Sequence, residues 1–285
     1  MNFAYRTVEL TNAIGQTISF TREHAQMRRQ ILGPAPDTGG NAMTETRERP
    51  RRGRPRTGPD PERFKEIMSA AANLFLEKGY DATSIQDIAD SVGLLKGSLY
   101  HYVSSKEDFL FYVIKDTYAI ALDEMSRVLE LDVEPIARMA AFVRSHVFYA
   151  VANLTAYTIR LRELDKLSER RRAEVREGGR TYLGALQSIL REGQEAGVFD
   201  RNLNVGPVSL MITGQLNDLT RWYSPAGAMS ADALARTYAG LVLGSVVSDQ
   251  AIAEHGGIEG LRRYAQQVDF GGPVAAETSL PASAS

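Results

Sequence analysis

Apolar residues recur with a helical period along most of the chain. The first clear case follows Asp60-Pro61-Glu62, where Asp is a good N-cap, Pro suits the first helical position and Glu favours the first turn. Gly79 can end the helix in a left-handed conformation. The pattern therefore predicts a helix from residue 61 to just before Gly79, with one apolar face formed by Phe64, Ile67, Met68, Ala71, Leu74 and Phe75.

Two short helices and one long helix are predicted next. Thr83 and Gln86 match a capping box with Thr83 as N-cap, and Gly93 breaks the helix that follows. Ser105, with Asp108 three residues later, caps a long amphipathic helix. The predicted bounds of these helices are 84–91, 96–102 and 106–131.

The helical period continues beyond Asp132, and no stretch alternates with period two long enough to predict a sheet. The fold class is therefore predicted to be all-α. Further helices are predicted near 133–153, 156–166, 169–192, 205–223 and 230–249, with breaks at 193–197, 202–204 and 224–227.

The predicted organisation has four parts. The first, 1–59, has no sustained period and is rich in Gly, Pro, Thr and Arg, which favours disorder; Met43 is a plausible alternative start within it. A helix-turn-helix unit occupies 60–106, a helical domain of about six helices occupies 107–254, and a tail of small residues, expected to be disordered, occupies 255–285.

Composition excludes several classes of protein. The chain has no Cys, which excludes disulfides and thiolate chemistry, and no apolar run approaches the roughly 18 residues that span a bilayer. The N-terminus does not have the pattern of a signal peptide, so a cytoplasmic protein is expected. The net charge of -2 is uninformative, but Arg is concentrated between residues 47 and 56, as in nucleic-acid-binding segments.

The segment from Ile85 to Tyr102 has the pattern of a helix-turn-helix. Ala89 supplies the small residue that two crossing helices need, and Gly93, four residues later, supplies the turn. The inner faces would be buried through Ile88, Val92, Leu94, Leu99 and Tyr102.

The sequence TSIQDIADSVGLLKGSLYHYVSSKEDFL, residues 83–110, resembles the DNA-binding signature of the TetR family of bacterial transcriptional regulators. The resemblance extends from Glu62 to about Ile114. It implies an all-helical homodimer in which three N-terminal helices bind DNA and the remaining helices bind a small effector and dimerise.

The resemblance places the recognition helix at Lys96, Gly97, Ser98, Tyr100 and His101. Lys96 and Gly97 would offer charge and backbone N–H groups to a phosphate, and the other side chains can reach base edges or the DNA backbone. Two further DNA contacts are expected, from Lys106 and Thr83. Leu95 and Val103 depart from the family pattern, in which Ser or Thr and Phe are commoner, so the recognition helix lacks a side-chain cap.

An arginine-rich arm precedes the first helix. Arg52-Gly53-Arg54-Pro55 resembles the core of an AT-hook, and an arm in this place can reach the minor groove, where A·T-rich sequence attracts Arg. The side chains expected to bind are Arg52, Arg54 and Arg56. A solubilising tail is the alternative.

Residues 214–246 resemble the last two helices of TetR-type regulators of fatty-acid, aromatic and sterol catabolism, several of which respond to acyl-CoA thioesters. The residues predicted to line an effector pocket are His146, Tyr149, Tyr157, Asn217, Arg221 and Trp222. Alternatives remain for three of them: His146 as a structural residue, Trp222 as core packing and Arg221 as an exposed cation.

Small residues on one face of the helix near 230–249 predict a dimer interface formed by Ala233, Gly240 and Gly244, since they allow close helix–helix approach. The alternative is a helix buried within one subunit. The run Ser168–Arg172 is expected to be a solvated helix start.

No motif indicates an enzyme. The four His residues do not pair at ligand spacing, and neither a phosphate loop nor a Gly-x-Ser-x-Gly motif occurs, so no catalytic residue, metal or cofactor is predicted. The function predicted is a homodimeric repressor that binds a palindromic operator and is released by a small effector. The resemblance of residues 214–246 favours an acyl-CoA as that effector. An activator or nucleoid-associated A·T-rich DNA binder remains open, as does a helical enzyme or carrier with a vestigial DNA-binding head.

Overall fold

A computed structural model describes residues 60–267 and the backbone of two three-residue strands near the N-terminus. The strands, β1 Glu9–Thr11 and β2 Thr17–Ser19, pair antiparallel with Leu10 opposite Ile18. These six residues form strands within a segment whose sequence pattern favoured disorder. The rest of 1–59, which includes the arm with Arg52, Arg54 and Arg56, and residues 268–285 lie outside the described residues.

Eleven α-helices form the described chain from residue 60 onward, as the all-α prediction requires. A single turn of 3₁₀ helix covers Leu164–Lys166, and Phe199 forms an isolated antiparallel bridge with Val247. The helices are α1 Pro61–Lys78, α2 Ile85–Ser91, α3 Lys96–Leu99, α4 Lys106–Leu129, α5 Pro135–Ala152, α6 Leu154–Glu163, α7 Glu169–Glu195, α8 Val205–Trp222, α9 Ala231–Val246, α10 Asp249–Glu254 and α11 Ile258–Gln267.

The caps of α1 and α4 are the predicted ones. Asp60 accepts from the backbone N–H of Glu62, and Gly79 ends α1 with a φ of 84°. Ser105 and Asp108 form a complete capping box at the start of α4. These local rules were sufficient because the capping hydrogen bonds join residues two to four positions apart.

The predicted cap of α2 is wrong by one residue. Ser84, not Thr83, is the N-cap, and its partner is Asp87, whose carboxylate accepts from the Ser84 N–H at 2.8 Å. The Thr83 hydroxyl instead donates to the carbonyl oxygens of Gly79 at 2.8 Å and Leu74 at 3.2 Å. Thr83 therefore joins the end of α1 to the start of α2.

The helix α3, predicted to recognise DNA, is shorter than the predicted 96–102. Leu95 is its N-cap and provides no side-chain hydrogen bond, as expected. Beyond Leu99 the backbone continues in tight turns, with the N–H of Tyr102 bonded to Leu99 O at 2.9 Å. Gly93 supplies the turn before α3 with a φ of 64°.

The helices enclose two hydrophobic cores. The N-terminal core is centred on α1–α3 and the first half of α4, and the C-terminal core is centred on α5 and α7–α9. The helix α4 joins them: Phe109 and Ile114 lie in the first core, and Met125 and Val128 lie in the second.

Two other helices also contribute to both cores. On α6, Ile159 packs in the N-terminal core while Tyr157, two residues earlier, packs in the C-terminal core. On α7, Val175 belongs to the first core and Leu186 to the second. The predicted domain boundary at residue 106 therefore does not separate the two hydrophobic cores, because α4, α6 and α7 each contribute residues to both.

The C-terminal part departs from prediction in two places. The helix α7 continues through Gly193, where the break was expected to start. Gly193 packs against Phe199, and only glycine fits there because an added Cβ would lie 2.0 Å from the Phe199 ring. Residues 258–267, expected to lie in a disordered tail, form α11, whose Leu261 and Ala265 are buried in the C-terminal core. Among the described residues, no helix is long and apolar enough to cross a membrane.

Candidate DNA-recognition surface and buried polar cluster

The side chains predicted to bind DNA lie on the outer side of α3 and the turn after it. Lys96, Gly97, Tyr100 and His101 are exposed and Ser98 is half-buried. Leu99, on the inner side, is fully buried in the N-terminal core. The burial of one face fixes which face is presented outward.

Nothing in the described part of the protein requires a glycine at position 97. Its backbone is not left-handed, and a Cβ there would meet no atom within 4 Å. Glycine is also a poor helix former. Its presence in α3 fits a surface where another molecule approaches the backbone closely.

Lys106 and Thr83 are not available in the way that was predicted. The Lys106 ammonium donates to the carbonyl oxygens of Tyr80 at 2.8 Å, Thr83 at 2.9 Å and Asp81 at 3.2 Å, which engages its three hydrogens within the protein. Thr83 is 1% exposed. Both residues therefore position the loop between α1 and α2, and neither side chain is free to contact a phosphate.

Four of the six predicted pocket residues lie together in a polar cluster between five helices. His146 and Tyr149 come from α5, Tyr157 from α6 and Asn217 from α8. The structure adds members that sequence analysis did not select. These are Thr117 and Tyr118 of α4, Arg160 of α6 and Tyr182 of α7.

The hydrogen-bond directions in this cluster follow from Arg160, which can only donate. Its Nη2 lies 3.5 Å from Asn217 Oδ1, so Asn217 presents its oxygen. Tyr157 then donates to that oxygen at 2.5 Å and accepts from His146 Nε2 at 2.8 Å. His146 Nδ1 accepts from the hydroxyl of Tyr182 at 2.7 Å. His146 is therefore the neutral tautomer with its proton on Nε2.

Electrostatics agree with a neutral imidazole. Burial, with a smaller contribution from the charge of Arg160, lowers the pKa of His146 to about 3. Burial also raises the pKa of Tyr157 to about 12 and that of Tyr182 well above its usual value. His146 is therefore fully hydrogen-bonded and neutral, as expected of a structural histidine. It also lies among the residues that were predicted to line the effector pocket.

The polar cluster contacts α4 at the point where α4 passes from one core to the other. The Tyr149 hydroxyl donates to Thr117 O at 2.5 Å, and Arg160 Nη1 donates to the Tyr118 hydroxyl at 3.1 Å. The Tyr118 ring lies against two glycines of α7, where added Cβ atoms would lie 3.1 Å from Tyr118 Cβ at Gly178 and 3.0 Å from its hydroxyl at Gly179. The cluster is therefore in direct hydrogen-bonded contact with α4.

Arg171 also joins the two halves, although Ser168–Arg172 was expected to be solvated. Its guanidinium binds the carboxylate of Asp108 and stacks over Phe111 at 5.0 Å. The pair lowers the pKa of Asp108 despite the opposing effect of burial. Because Asp108 also caps α4, the start of α7 is fixed to the start of α4.

Two predicted pocket residues lie elsewhere. Arg221 is exposed and pairs with Asp218, and the side chain of Trp222 is 51% exposed. Both occupy the outward side of α8 at its C-terminal end. The expectation that Trp222 packs in the core is also wrong, because its neighbour Tyr223 is the buried residue.

The predicted interface residues are divided between two environments. A Cβ at Gly240 would lie 3.3 Å from Arg262, and one at Gly244 would lie 3.2 Å from Ile258, so both glycines face α11 of the same chain. Gly240 is buried beside α11, as the alternative of packing within one subunit expects, whereas Gly244 is exposed. Ala233 is exposed.

Several large apolar side chains are exposed on α8 and α9. These two helices are neighbours, since the Tyr238 hydroxyl donates to Gln215 O at 3.3 Å. We call this surface the α8–α9 apolar surface; its exposed residues are Leu210, Met211, Trp222 and Leu241.

Sequence reasoning missed Arg160 and Tyr118 because each is a single polar residue in a helix. Tyr157 and Arg160 are three residues apart and share a helical face, which was the available indication. Tyr118 gave no comparable sign, because its partners are 42 and 60 residues away. In the described ranges, no group of three or more His, Asp or Glu side chains could hold a metal ion.

Comparison with known proteins agrees with this architecture. The pattern of "Bacterial regulatory proteins, tetR family" matches residues 67–113, and that of "Tetracyclin repressor-like, C-terminal domain" matches residues 132–246. The HTH-type transcriptional repressor KstR2 of Mycolicibacterium smegmatis is 30% identical over 192 residues, which cover 66% of this chain and 92% of that protein.

Two solved structures have the same fold. The ketosteroid transcriptional regulator KstR2 of Mycobacterium tuberculosis is 26% identical, with a TM-score of 0.63, and the match covers 67% of this chain and 98% of that one. AibR, solved with isovaleryl coenzyme A and operator DNA, is 24% identical, with a TM-score of 0.58 over 63% of this chain and 97% of its own. The chain belongs to the TetR family of bacterial transcriptional regulators.

Proposed function

We propose that this protein is a homodimeric transcriptional repressor that binds a palindromic operator and is released from it by a small effector. The observation that carries the proposal is the presentation of Lys96, Gly97, Tyr100 and His101 on one exposed face while Leu99 fixes that face to the core. The repressor KstR2, similar over 92% of its length, supports the class of function.

DNA recognition is assigned to α3 and the turn that follows it. Lys96 and the open backbone at Gly97 bind phosphate, and Ser98, Tyr100 and His101 contact base edges or the DNA backbone. Lys106 and Thr83 are not among the proposed DNA contacts, because their side chains already donate hydrogen bonds to backbone carbonyl oxygens. The arm with Arg52, Arg54 and Arg56 adds affinity in the minor groove.

The dimer is proposed to form through the α8–α9 apolar surface. Each subunit would bury Leu210, Met211, Trp222 and Leu241, which are between 51% and 64% exposed in the single chain. Large exposed apolar patches mark interaction sites, and a two-fold interface uses the same patch on both subunits. This arrangement places two recognition helices on one DNA and requires a palindromic operator.

Effector release is proposed to act through the polar cluster around His146 and Arg160. That cluster contacts α4 at Thr117 and Tyr118. The same helix contributes the buried side chains of Phe109 and Ile114 to the N-terminal core. An effector that binds better to a conformation with altered spacing of the recognition helices shifts the population away from DNA. An acyl-CoA is the effector class favoured by the isovaleryl-CoA complex of AibR.

The test is a gel shift with footprinting on the DNA upstream of the protein's own gene, with and without a series of acyl-CoAs. A discrete palindromic footprint that disappears with one acyl-CoA is the expected result. In parallel, His101→Ala should weaken binding about 5- to 150-fold, as loss of a base contact worth about 1–3 kcal/mol predicts. Arg180→Gln, which is exposed on α7 and lies outside both α3 and the α8–α9 apolar surface, is the control.

Other outcomes decide between alternatives. A footprint over A·T-rich DNA without a palindrome would favour the nucleoid-associated function and contradict the repressor. A palindromic footprint that no acyl-CoA affects would keep the regulator and remove the thioester. Turnover of an acyl-CoA that is insensitive to His101→Ala would favour a helical enzyme.

A further inference from the structure

The polar cluster carries one positive charge that no acid balances within the described chain. His146, Tyr157 and Tyr182 are neutral near pH 7, because burial lowers the pKa of the first and raises the pKa of the two tyrosines. Arg160 is charged: burial by itself lowers its pKa, but Tyr157 and Tyr118 raise it above its usual value. Bringing a cation into such surroundings is costly unless it is paired.

Arg160 is also incompletely hydrogen-bonded. Nη1 donates to the Tyr118 hydroxyl at 3.1 Å, and Nη2 has a long contact of 3.5 Å with Asn217. Nε is fully buried and has no partner among the described residues. The rings of Tyr157 and Tyr118, at 4.3 and 4.9 Å, hold the guanidinium between them. Five N–H donors therefore have two neutral acceptors.

Other sheltered arginines of the described chain have carboxylate partners. Arg138 pairs with Glu192, and Arg144 pairs with Asp232. Arg171 binds Asp108. For Arg160, no Asp or Glu oxygen within the described residues lies within 4.0 Å of its nitrogens, so its charge is not explained by an internal ion pair.

We infer that Arg160 binds an oxyanion of the effector, with the hydroxyls of Tyr118 and Tyr157 and the amide of Asn217 as neighbouring hydrogen-bonding groups. A planar guanidinium binds carboxylate and phosphate through paired N–H groups, and such charge-assisted bonds are about twice as strong as neutral ones. This inference rests on the proposed effector site and adds the chemical class of the group recognised there. Movement of Arg160 away from Tyr118 would transmit binding to α4.

The experiment compares the wild type with Arg160→Gln, Arg160→Lys and Arg162→Gln by calorimetric titration with decanoyl-CoA, coenzyme A, decanoate and the neutral methyl decanoate. Arg162 is the matched control, since it is exposed on the same helix. We expect an anionic ligand to lose at least tenfold in affinity with Arg160→Gln, less with Arg160→Lys, and nothing with Arg162→Gln. If decanoate is the smallest ligand that depends on Arg160, the group bound there is a carboxylate. If coenzyme A is, the group is a phosphate.

A second measurement does not depend on the choice of organic ligand. Sodium sulfate should raise the Tm of the wild type more than that of Arg160→Gln, relative to sodium chloride at equal ionic strength. Equal protection of both proteins, or equal affinity of both for every ligand that binds, would overturn the inference. A cooperative unfolding transition in each variant shows that it is folded.

Failure of the two proposals can be told apart. If no operator footprint exists but an Arg160-dependent oxyanion site does, the repressor function fails and the inference stands. If the footprint exists and the oxyanion site does not, the repressor function stands and the inference about Arg160 fails. Tight binding of methyl decanoate that matches decanoate would also contradict the inference.

Discussion

At the scale of single residues, His146 connects the buried cluster to pH. Its pKa is about 3 in the folded protein, against an ordinary value of 6.5, because burial and the charge of Arg160 disfavour the imidazolium. The unfolded chain therefore binds more protons below pH 6.5. By linkage, the stabilising effect is complete above pH 6.5 and is lost as pH falls toward 3.

The predicted size follows from this shift. Between pH 7 and pH 5, the free energy of unfolding should fall by about 2 kcal/mol through His146 alone. Urea unfolding of the wild type and of His146→Gln at both pH values measures it, and the variant should lack this part of the pH dependence. Equal losses in the two proteins would show that His146 is protonated or exposed in the native state.

Leu95 is a second residue whose effect can be predicted. It occupies the N-cap of α3 with an extended backbone, makes no capping bond and is 81% exposed. Leu95→Ser should raise the free energy of unfolding by about 1 kcal/mol, because a hydroxyl at this position accepts from a free N–H of the first turn. Leu95→Ala is the control and should change little; an equal gain from alanine would rule out capping as the cause.

At the scale of elements, the glycines of α7 are predicted to differ. Gly184 is exposed, with no atom within 4 Å of an added Cβ, whereas a Cβ at Gly178 would lie 3.1 Å from Tyr118 Cβ on α4. Gly184→Ala should therefore stabilise the protein by about 1 kcal/mol through helix propensity. Gly178→Ala should lose this gain and be neutral or destabilising, because it presses α7 away from α4.

Thermal and denaturant unfolding of the two alanine variants test this difference. The comparison is matched because both substitutions lie in the same helix and gain the same intrinsic propensity. Equal stabilisation would mean that α4 and α7 do not need their close approach. Altered effector release in Gly178→Ala, with the operator still bound, would place the contact on the route between the two cores.

At the scale of the whole molecule, the proposed dimer depends on the α8–α9 apolar surface. Leu241 is 55% exposed in the single chain. Leu241→Asp should convert the dimer to a monomer, because a buried carboxylate at an apolar interface is strongly unfavourable. Light scattering after size exclusion measures the mass.

Leu95→Asp is the control for this prediction, since it also places a charge on an exposed leucine but near the DNA-recognition surface. It should remain dimeric. A monomeric wild type, or a Leu241→Asp variant with unchanged mass, would contradict an interface at α8 and α9. A monomer that still gives a full palindromic footprint would separate DNA binding from this interface.

The sequence by itself determined the features that depend on near neighbours along the chain. Asp60, Gly79, Gly93 and the Ser105–Asp108 box were predictable because caps and turns bond within a few residues. The helical period and the outward face of α3 were predictable for the same reason. Burial of Leu99 determines which of its neighbours in the helix point outward. His146 and Tyr157 were selected because they fall on the predicted central helices, and in the structure the Tyr157 hydroxyl joins His146 to Asn217 by hydrogen bonds.

The tertiary structure decided what depends on distant partners. Gly240 and Gly244 were assigned to another subunit, but Ile258 and Arg262 of α11 meet them within the chain. Lys106 was assigned to DNA, but carbonyl groups 23 to 26 residues away bind it. Arg160 acquired its importance only when five helices brought neutral groups around its charge. Helix patterns report which face is buried, whereas the identity of the group across the interface is set by packing between segments far apart in sequence.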